Sequence, residues 1–172
     1  MDYVVGSLKK WWWGGDPDAI NEISGMSLRD IYHVQQSWKR IQKNSNENGF
    51  LMFFRLFEAA PETKSFFKTI TNLQSKEEMK ANVIFRAHII NIMSSLNNSI
   101  INLNIPEVVA VWMEKLGDVH KTRKVEKKHF LVFKDVLVNI LQNDFKFSED
   151  TLASWGKYVN FVYNHMLPRL AS

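Results

Sequence analysis

Two histidines, His88 and His120, offer the clearest chemistry in this sequence, because each lies within an apolar stripe of helical spacing. Phe85 belongs to the first stripe and Leu116 to the second. Both imidazoles are therefore predicted to face a core, where each needs a partner, since burying an unpaired polar group costs roughly 1–3 kcal/mol. Neutral imidazole is a ligand of iron. With the phenylalanine pair at 66–67 upstream, the two histidines predict a haem pocket.

Each of these residues also has a simpler explanation. A single histidine on an apolar helix face is more often a satisfied core residue than a ligand, but two of them with upstream aromatic residues reverse that preference. Phenylalanines at helical spacing are usually core residues, as we expect for Phe50, Phe54 and Phe57. The other histidines are predicted to be on the surface or partly exposed: His33, His129 and His165.

The composition limits the classes of function. The 172 residues suffice for one domain with one core, and 22 basic against 18 acidic side chains give a net charge of +4. These charges are dispersed, so nucleic-acid binding is not predicted. The absence of cysteine excludes disulfides, thiolate metal sites and a cysteine nucleophile, and it fits an intracellular protein. No secretory signal, bilayer-spanning run, nucleophile motif or phosphate-binding loop is recognised, so any chemistry is expected to belong to a cofactor.

The chain divides into an N-terminal extension, residues 1–25, and a domain, residues 26–172. The extension is rich in turn-forming residues and lacks periodicity. In the domain every periodic segment has helical spacing, so the sequence predicts an all-α fold. Ser27 and Asp30 resemble a capping box at the start of the first helix, and Pro61 ends the second helix.

Polar stretches and prolines predict the other helix boundaries. Residues 43–47 form the first connection, and residues 68–80 form a corner loop with one short helix at 76–80. Asn48-Gly49 is also a hairpin signal, but the helical periodicity that follows it favours a helix. Three further boundaries are predicted: Pro106 begins the His120 helix, residues 148–150 begin the last helix, and Pro168 closes it.

Several landmarks of the domain occur in the order that one family uses. They are Gln36-Ser37-Trp38, Gly49, Phe53, Pro61 through Phe67, Phe85 to His88, Leu116 to His120, and Trp155. By these landmarks and by the spacing of the two histidines, residues 26 to about 170 resemble a globin. The similarity is greatest to insect globins and to the neuroglobin and cytoglobin branch. The resemblance implies the globin fold, with helices packed around a haem pocket.

The resemblance also implies a role for each pocket residue. His120 would be the proximal ligand of the haem iron and His88 the distal histidine, so both are candidate metal ligands. The other ring nitrogen of His120 needs an acceptor, and the carbonyl of Leu116, one turn earlier on the helix, is within its reach. Phe67 would stack on the porphyrin, Phe53 would lie in the distal pocket, and Ile92 would lie over the haem face. The proximal side and the haem edge would be lined by Leu116, Val125, Phe130 and Phe133.

One position of this chain matches the family pattern closely, and another departs from it. Gly49 matches the family glycine where the second helix crosses the distal helix, and the facing position here is Ile89, which makes Gly49 harder to replace. The position three residues after the distal histidine is often basic in the family and contacts the haem propionates, but here it is Asn91. Lys124 is a candidate substitute for that basic residue.

The function implied by the resemblance is reversible binding of dioxygen to a non-covalently held haem b, for intracellular storage, supply or sensing. Carbon monoxide and nitric oxide would bind at the same iron. The alternative is an enzyme that carries out nitric oxide dioxygenation, peroxidation or nitrite reduction with electrons from an external reductase. A haem-less globin-like module is a third class, and the presence of both histidines argues against it.

Two further expectations concern the iron and the extension. From the resemblance to neuroglobin and the long corner loop, His88 is expected to bind the ferrous iron directly when no external ligand is present. Trp11, Trp12 and Trp13 follow two lysines, so weak peripheral contact of a cytoplasmic protein with an anionic membrane is possible. Docking of these tryptophans on the domain's own surface or on a partner is the favoured alternative.

Overall fold

The computed structural model describes residues 13–171, which fold into seven α-helices with no strand among the described residues. The all-α fold predicted from periodicity is therefore confirmed. None of the helices in this part of the chain is both long and apolar enough to cross a membrane. The elements are α1 Leu28–Gln42, α2 Ser45–Ala59, a 3₁₀-helix Pro61–Phe66, α3 Lys76–Ala81, α4 Val83–Ile101, α5 Pro106–Thr122, α6 Lys127–Asn139, a π-helical turn Ile140–Asp144, and α7 Glu149–Ala171.

The start of α1 confirms the predicted capping box and also joins two helices. The Ser27 side chain accepts a hydrogen bond from the Asp30 backbone N–H, and the Asp30 carboxylate accepts one from the Ser27 backbone N–H. The same carboxylate binds the Lys157 Nζ of α7 at 2.7 Å. Burial opposes ionisation of Asp30, but the hydrogen bonds from Lys157 and Ser27 outweigh it and lower the pKa. The cap thus fixes α1 against α7.

Most helix boundaries agree with the sequence, and two differ. α2 begins at Ser45, inside the expected connection, and Asn48 and Gly49 are helical, so no hairpin forms. The prediction that Pro168 closes the last helix is wrong, because α7 continues to Ala171. A proline lacks the N–H that would bond to the carbonyl four residues earlier, so one helical hydrogen bond is missing at Pro168, but the helix still runs three residues beyond it. The predicted short helix after the corner loop is confirmed as α3.

The helices pack in pairs around one apolar core, to which both α4 and α5 contribute buried side chains. α5 packs along α7, α1 packs on α7 and α4, and α2 packs on α4 and α6. A glycine sets the close approach of α2 to α4, because a Cβ built on Gly49 would lie 2.6 Å from Ile89 Cγ2 and 3.0 Å from Met93 Cγ. The expected contact between Gly49 and Ile89 is therefore present.

We predict that Gly49→Ala lowers the free energy of unfolding by about 1–3 kcal/mol, because the new methyl group must push α4 away from α2. Gly156→Ala is the matched control. A Cβ at Gly156 meets no atom within 4 Å, so alanine there should stabilise α7 by about 0.5–1 kcal/mol. Urea unfolding of both variants measures the two effects. Equal stability of the two variants would contradict the close packing of α2 on α4.

The described part of the extension lies against α1. The Trp13 ring contacts the Tyr32 ring edge-on at a centroid distance of 5.4 Å, and Asp18 forms an ion pair with Arg29 at 2.7 Å. The Arg29 backbone N–H donates to the Pro17 carbonyl. Trp11 and Trp12 lie outside the described residues. The boundary at residue 25 remains a prediction.

Candidate functional site

His88 lies half-buried on α4 among aromatic rings that come from other elements. The Phe67 ring, just after the 3₁₀-helix, lies 4.9 Å from the imidazole centroid, and the Phe53 ring of α2 lies 5.5 Å from it. Phe53 also contacts Phe133 of α6 at 6.1 Å. Phe85, one turn before His88, is fully buried between Phe53 and Phe67. Two of the predicted pocket residues, Phe53 and Phe67, thus contact the candidate distal histidine, and a third, Phe133, packs behind Phe53.

This apolar setting keeps the His88 imidazole neutral. Burial lowers its pKa to about 4, and the positive charges of Arg123 and His120 add to the shift. Within residues 13–171 neither ring nitrogen of His88 has a hydrogen-bond partner. His88 therefore presents neutral nitrogen donors that no protein group uses.

His120 lies in the last turn of α5, and its ring orientation is fixed by its own helix. The Nδ1–H donates to the Leu116 carbonyl at 2.8 Å, which is the partner expected from the sequence. That bond requires the tautomer whose Nε2 carries a free lone pair. Burial lowers the pKa of His120, although the hydrogen bond to Leu116 opposes the shift. The side chain is thus prepared to act as a neutral ligand through Nε2.

Phe130 of α6 packs edge-on against the His120 ring. Its ring lies 5.2 Å from the imidazole centroid, and its carbonyl accepts a hydrogen bond from the Tyr163 hydroxyl of α7 at 2.6 Å. Burial raises the pKa of Tyr163, so the hydroxyl remains a donor. Sequence reasoning missed Tyr163, and its one signal is a tyrosine beside the apolar stripe of the last helix.

α5 is held on α7 by a close backbone contact and by charge pairs. A Cβ on Gly117 would lie 2.5 Å from the Met166 carbonyl oxygen, so the two helices touch at this glycine. Asp118 pairs with Arg169 at 2.9 Å on the same side. These contacts set the position of the helix that carries His120.

The segment after His120 is a tight left-handed turn. Lys124 has a φ of +60°, and its N–H donates to the Lys121 carbonyl, while the Val125 N–H donates to the His120 carbonyl at 3.2 Å. This is the Schellman arrangement that ends a helix. The Lys124 side chain is exposed and has no ion pair within the described residues. Val125, five residues after His120, is half-buried.

Arg123 is a second cation at this turn that sequence reasoning missed. Its positive charge lowers the pKa of both His88 and His120. It is therefore an additional candidate for contact with the haem propionates, beside Lys124. Its sequence signal was its position three residues after His120.

Ile92 is the residue expected to lie over the haem face. Ile92 is half-buried and packs against the core one turn after His88.

The expectation that His129 is exposed is wrong, because it is buried. Its Nδ1 accepts a hydrogen bond from the Glu126 backbone N–H at the start of α6, and its ring lies 5.0 Å from Phe66. A long-range contact with the 3₁₀-helix thus covers a side chain that the local sequence suggested to be exposed.

We predict that the haem-free chain loses stability as the pH falls from about 6.5 to 4. Unfolded histidine titrates near 6.5 and folded His88 near 4, so in this range the unfolded chain binds a proton that the folded chain does not. The loss between pH 7 and pH 5 should be about 1 kcal/mol after allowance for partial exposure. Urea unfolding across this range measures it, and His88→Leu should flatten the dependence. An unchanged slope in that variant would assign the effect to other groups.

The donor set fits haem better than a bare metal ion. The described residues include no group of three or more His, Asp or Glu side chains arranged to hold a metal. Two neutral imidazoles in apolar surroundings suit an iron whose other four ligands come from a porphyrin.

Comparisons with known proteins match this arrangement. The family model for globins matches residues 51–166. Cytoglobin-2 of Oryzias latipes is 29% identical over 152 residues, covering 87% of this chain and 85% of that protein. Globin CTT-VIIB-8 of Chironomus thummi thummi is 29% identical over 140 residues, covering 80% and 84%. The hexa-coordinate haemoglobin of Drosophila melanogaster has the same fold, with a TM-score of 0.75 at 23% identity over 82% of this chain and 93% of that chain.

Proposed function

The chain belongs to the globin family and its cofactor is haem; on this premise we propose that it binds dioxygen reversibly in the cytoplasm. The observation that supports this most directly is the hydrogen bond from His120 Nδ1 to the Leu116 carbonyl, which leaves Nε2 free on the side chain proposed to hold the iron. The expected role is storage, supply or sensing of oxygen. With no cysteine in the sequence, the haem is held without thioether bonds, as haem b.

We assign the proximal side to residues of α5 and α6. When bound, the haem supplies a ferrous iron that takes up and releases dioxygen, carbon monoxide or nitric oxide. His120 holds that iron, and the Leu116 carbonyl orients the imidazole. Phe130 limits rotation of the ring from the outer side. Lys124 or Arg123 pairs with the propionates.

The distal side is assigned to His88 and the aromatic rings around it. Phe53 and Phe67 exclude water from the imidazole, which slows oxidation of the ferrous iron because water and protons promote that reaction. Ile92 and Phe133 extend the same apolar lining. His88 is then the strong polar group beside the gas ligand, and its neutral state leaves an N–H free to donate or a lone pair free to bind.

Absorption spectra test the proposal. The purified full chain is reconstituted with hemin and recorded as the ferric form, after reduction, and after addition of carbon monoxide or dioxygen. We expect a Soret band that shifts with each step and returns to the deoxy form under argon. A protein without a Soret band in excess hemin would overturn the haem site, and irreversible oxidation on the first exposure to oxygen would overturn reversible binding.

The second candidate function is haem enzymology: nitric oxide dioxygenation, peroxidation or nitrite reduction. One observation favours it, namely the run of exposed cations beside His120, which offers a place for an external electron donor. Sustained consumption of nitric oxide or nitrite in the presence of a reducing system, at rates above that of hemin alone, would support it. A single turnover followed by arrest would favour oxygen binding.

Membrane contact through Trp11, Trp12 and Trp13 is a separate proposal. The contact of Trp13 with Tyr32 favours docking of the described part of the extension on α1. Sedimentation with anionic liposomes compares the full chain with a chain that begins at Met26. Equal partitioning of the two would remove the membrane role.

A further inference from the structure

The charges expected to be dispersed along the chain include one dense basic surface, which joins the helix that carries His120 to the next helix. This surface, which we name the basic corner, comprises residues 121–128 and contains five exposed cations. Glu126 is its one acidic residue and pairs with Lys128 at 3.1 Å. The side chains of the other four cations have no hydrogen bond or ion pair within residues 13–171. They are Lys121, Arg123, Lys124 and Lys127.

Local structure accounts for only part of this charge. Lys121 and Arg123 lie at the C-terminal end of α5, where a cation stabilises the helix. Lys127 and Lys128, in contrast, are the first residues of α6, where a cation opposes the helix dipole at about 0.3–1 kcal/mol each. Lys124 has a φ of +60°, a conformation that costs a side-chain-bearing residue about 1–2 kcal/mol. Three of the five cations thus lie where folding alone disfavours a lysine.

The position of the basic corner connects it to the pocket. It begins at the residue after His120, and two residues beyond its other end lies Phe130, whose ring contacts the His120 ring at a centroid distance of 5.2 Å. A partner on this surface would therefore stand at the edge of the haem pocket. The corner contains no aromatic residue, so it lacks the anchors typical of membrane interfaces and the rings on which nucleic-acid bases stack. A negatively charged protein surface is the complementary partner.

We propose that the basic corner docks an acidic electron-transfer protein that reduces the haem iron. The proposal rests on the proposed haem site. After docking, the donor protein gives up one electron and the ferric iron becomes ferrous, with no bond made or broken. Opposite charges raise the encounter rate and orient the two proteins, and both effects weaken as salt screens the charges.

Stopped-flow reduction of the ferric haem protein tests this proposal, with reduced plant-type [2Fe–2S] ferredoxin as the acidic one-electron donor. The test variant is Lys127→Glu with Lys128→Glu. The matched control is Lys39→Glu with Lys43→Glu, which makes the same change in net charge on exposed residues at the end of α1. Rates are measured from about 10 mM to 500 mM salt, a range over which screening removes most surface attraction.

We expect the wild-type rate constant to fall steeply with salt, and the test variant to be at least about tenfold slower at low salt with a flat salt dependence. The control should remain within about threefold of the wild type. Equal slowing in both variants, or a wild-type rate independent of salt, would overturn the proposal. The proposal would also be overturned if the test variant lost binding to anionic vesicles while ferredoxin reduced it at the wild-type rate. Failure of the haem site is distinguishable, because it removes the Soret band before any donor is added.

Discussion

Replacing His120 with alanine should leave the protein unable to retain haem. The proposed iron bond depends on one nitrogen of this side chain, and the Leu116 carbonyl already fixes the other. We expect the affinity for hemin to fall by more than about 100-fold, because loss of a ligand exceeds the 10–100-fold effect typical of its hydrogen-bond partner. The measurement is the Soret absorbance that remains with the protein after hemin reconstitution and gel filtration.

Two variants separate loss of the ligand from loss of the fold. His165→Gln removes another partly buried histidine, which contacts Glu114, and it should retain haem like the wild type. His120→Gly leaves a space beside Phe130 into which free imidazole can bind, so added imidazole should restore the haem spectrum. Retention of haem by His120→Ala at wild-type affinity would assign the proximal role to a different residue.

Replacing His88 with leucine should change the coordination of the iron without removing the haem. The His88 nitrogens have no protein partner among the described residues, and the imidazole remains neutral because its pKa is about 4. A neutral imidazole with free ring nitrogens would be well suited to bind a haem iron. We expect a six-coordinate ferrous spectrum for the wild type and a five-coordinate one for His88→Leu.

Ligand kinetics give an independent measurement of the same effect. An external gas must displace His88 in the wild type, so carbon monoxide should bind the leucine variant at least about tenfold faster. His165→Gln again serves as the control with wild-type kinetics. A wild-type deoxy spectrum with one broad visible band would instead mean that the iron is five-coordinate and that His88 donates a hydrogen bond to the bound gas.

The sequence predicted the features that depend on neighbours along one helix. The capping box of Ser27 and Asp30 and the bond from His120 to Leu116 join residues three or four positions apart, which helical geometry brings together in any tertiary context. The apolar stripes likewise predicted that both histidines face inward. Family membership, confirmed by the match over residues 51–166, rested on the order and spacing of such local landmarks.

Only the tertiary structure decided the contacts between distant helices. Periodicity indicates which face of a helix is buried, but the side chain that meets that face depends on how two helices cross. The burial of His129 against Phe66 and the bond from Tyr163 to the Phe130 carbonyl both arise in this way. The bond from Lys157 to the Asp30 carboxylate has the same origin, since 127 positions separate the two residues along the chain.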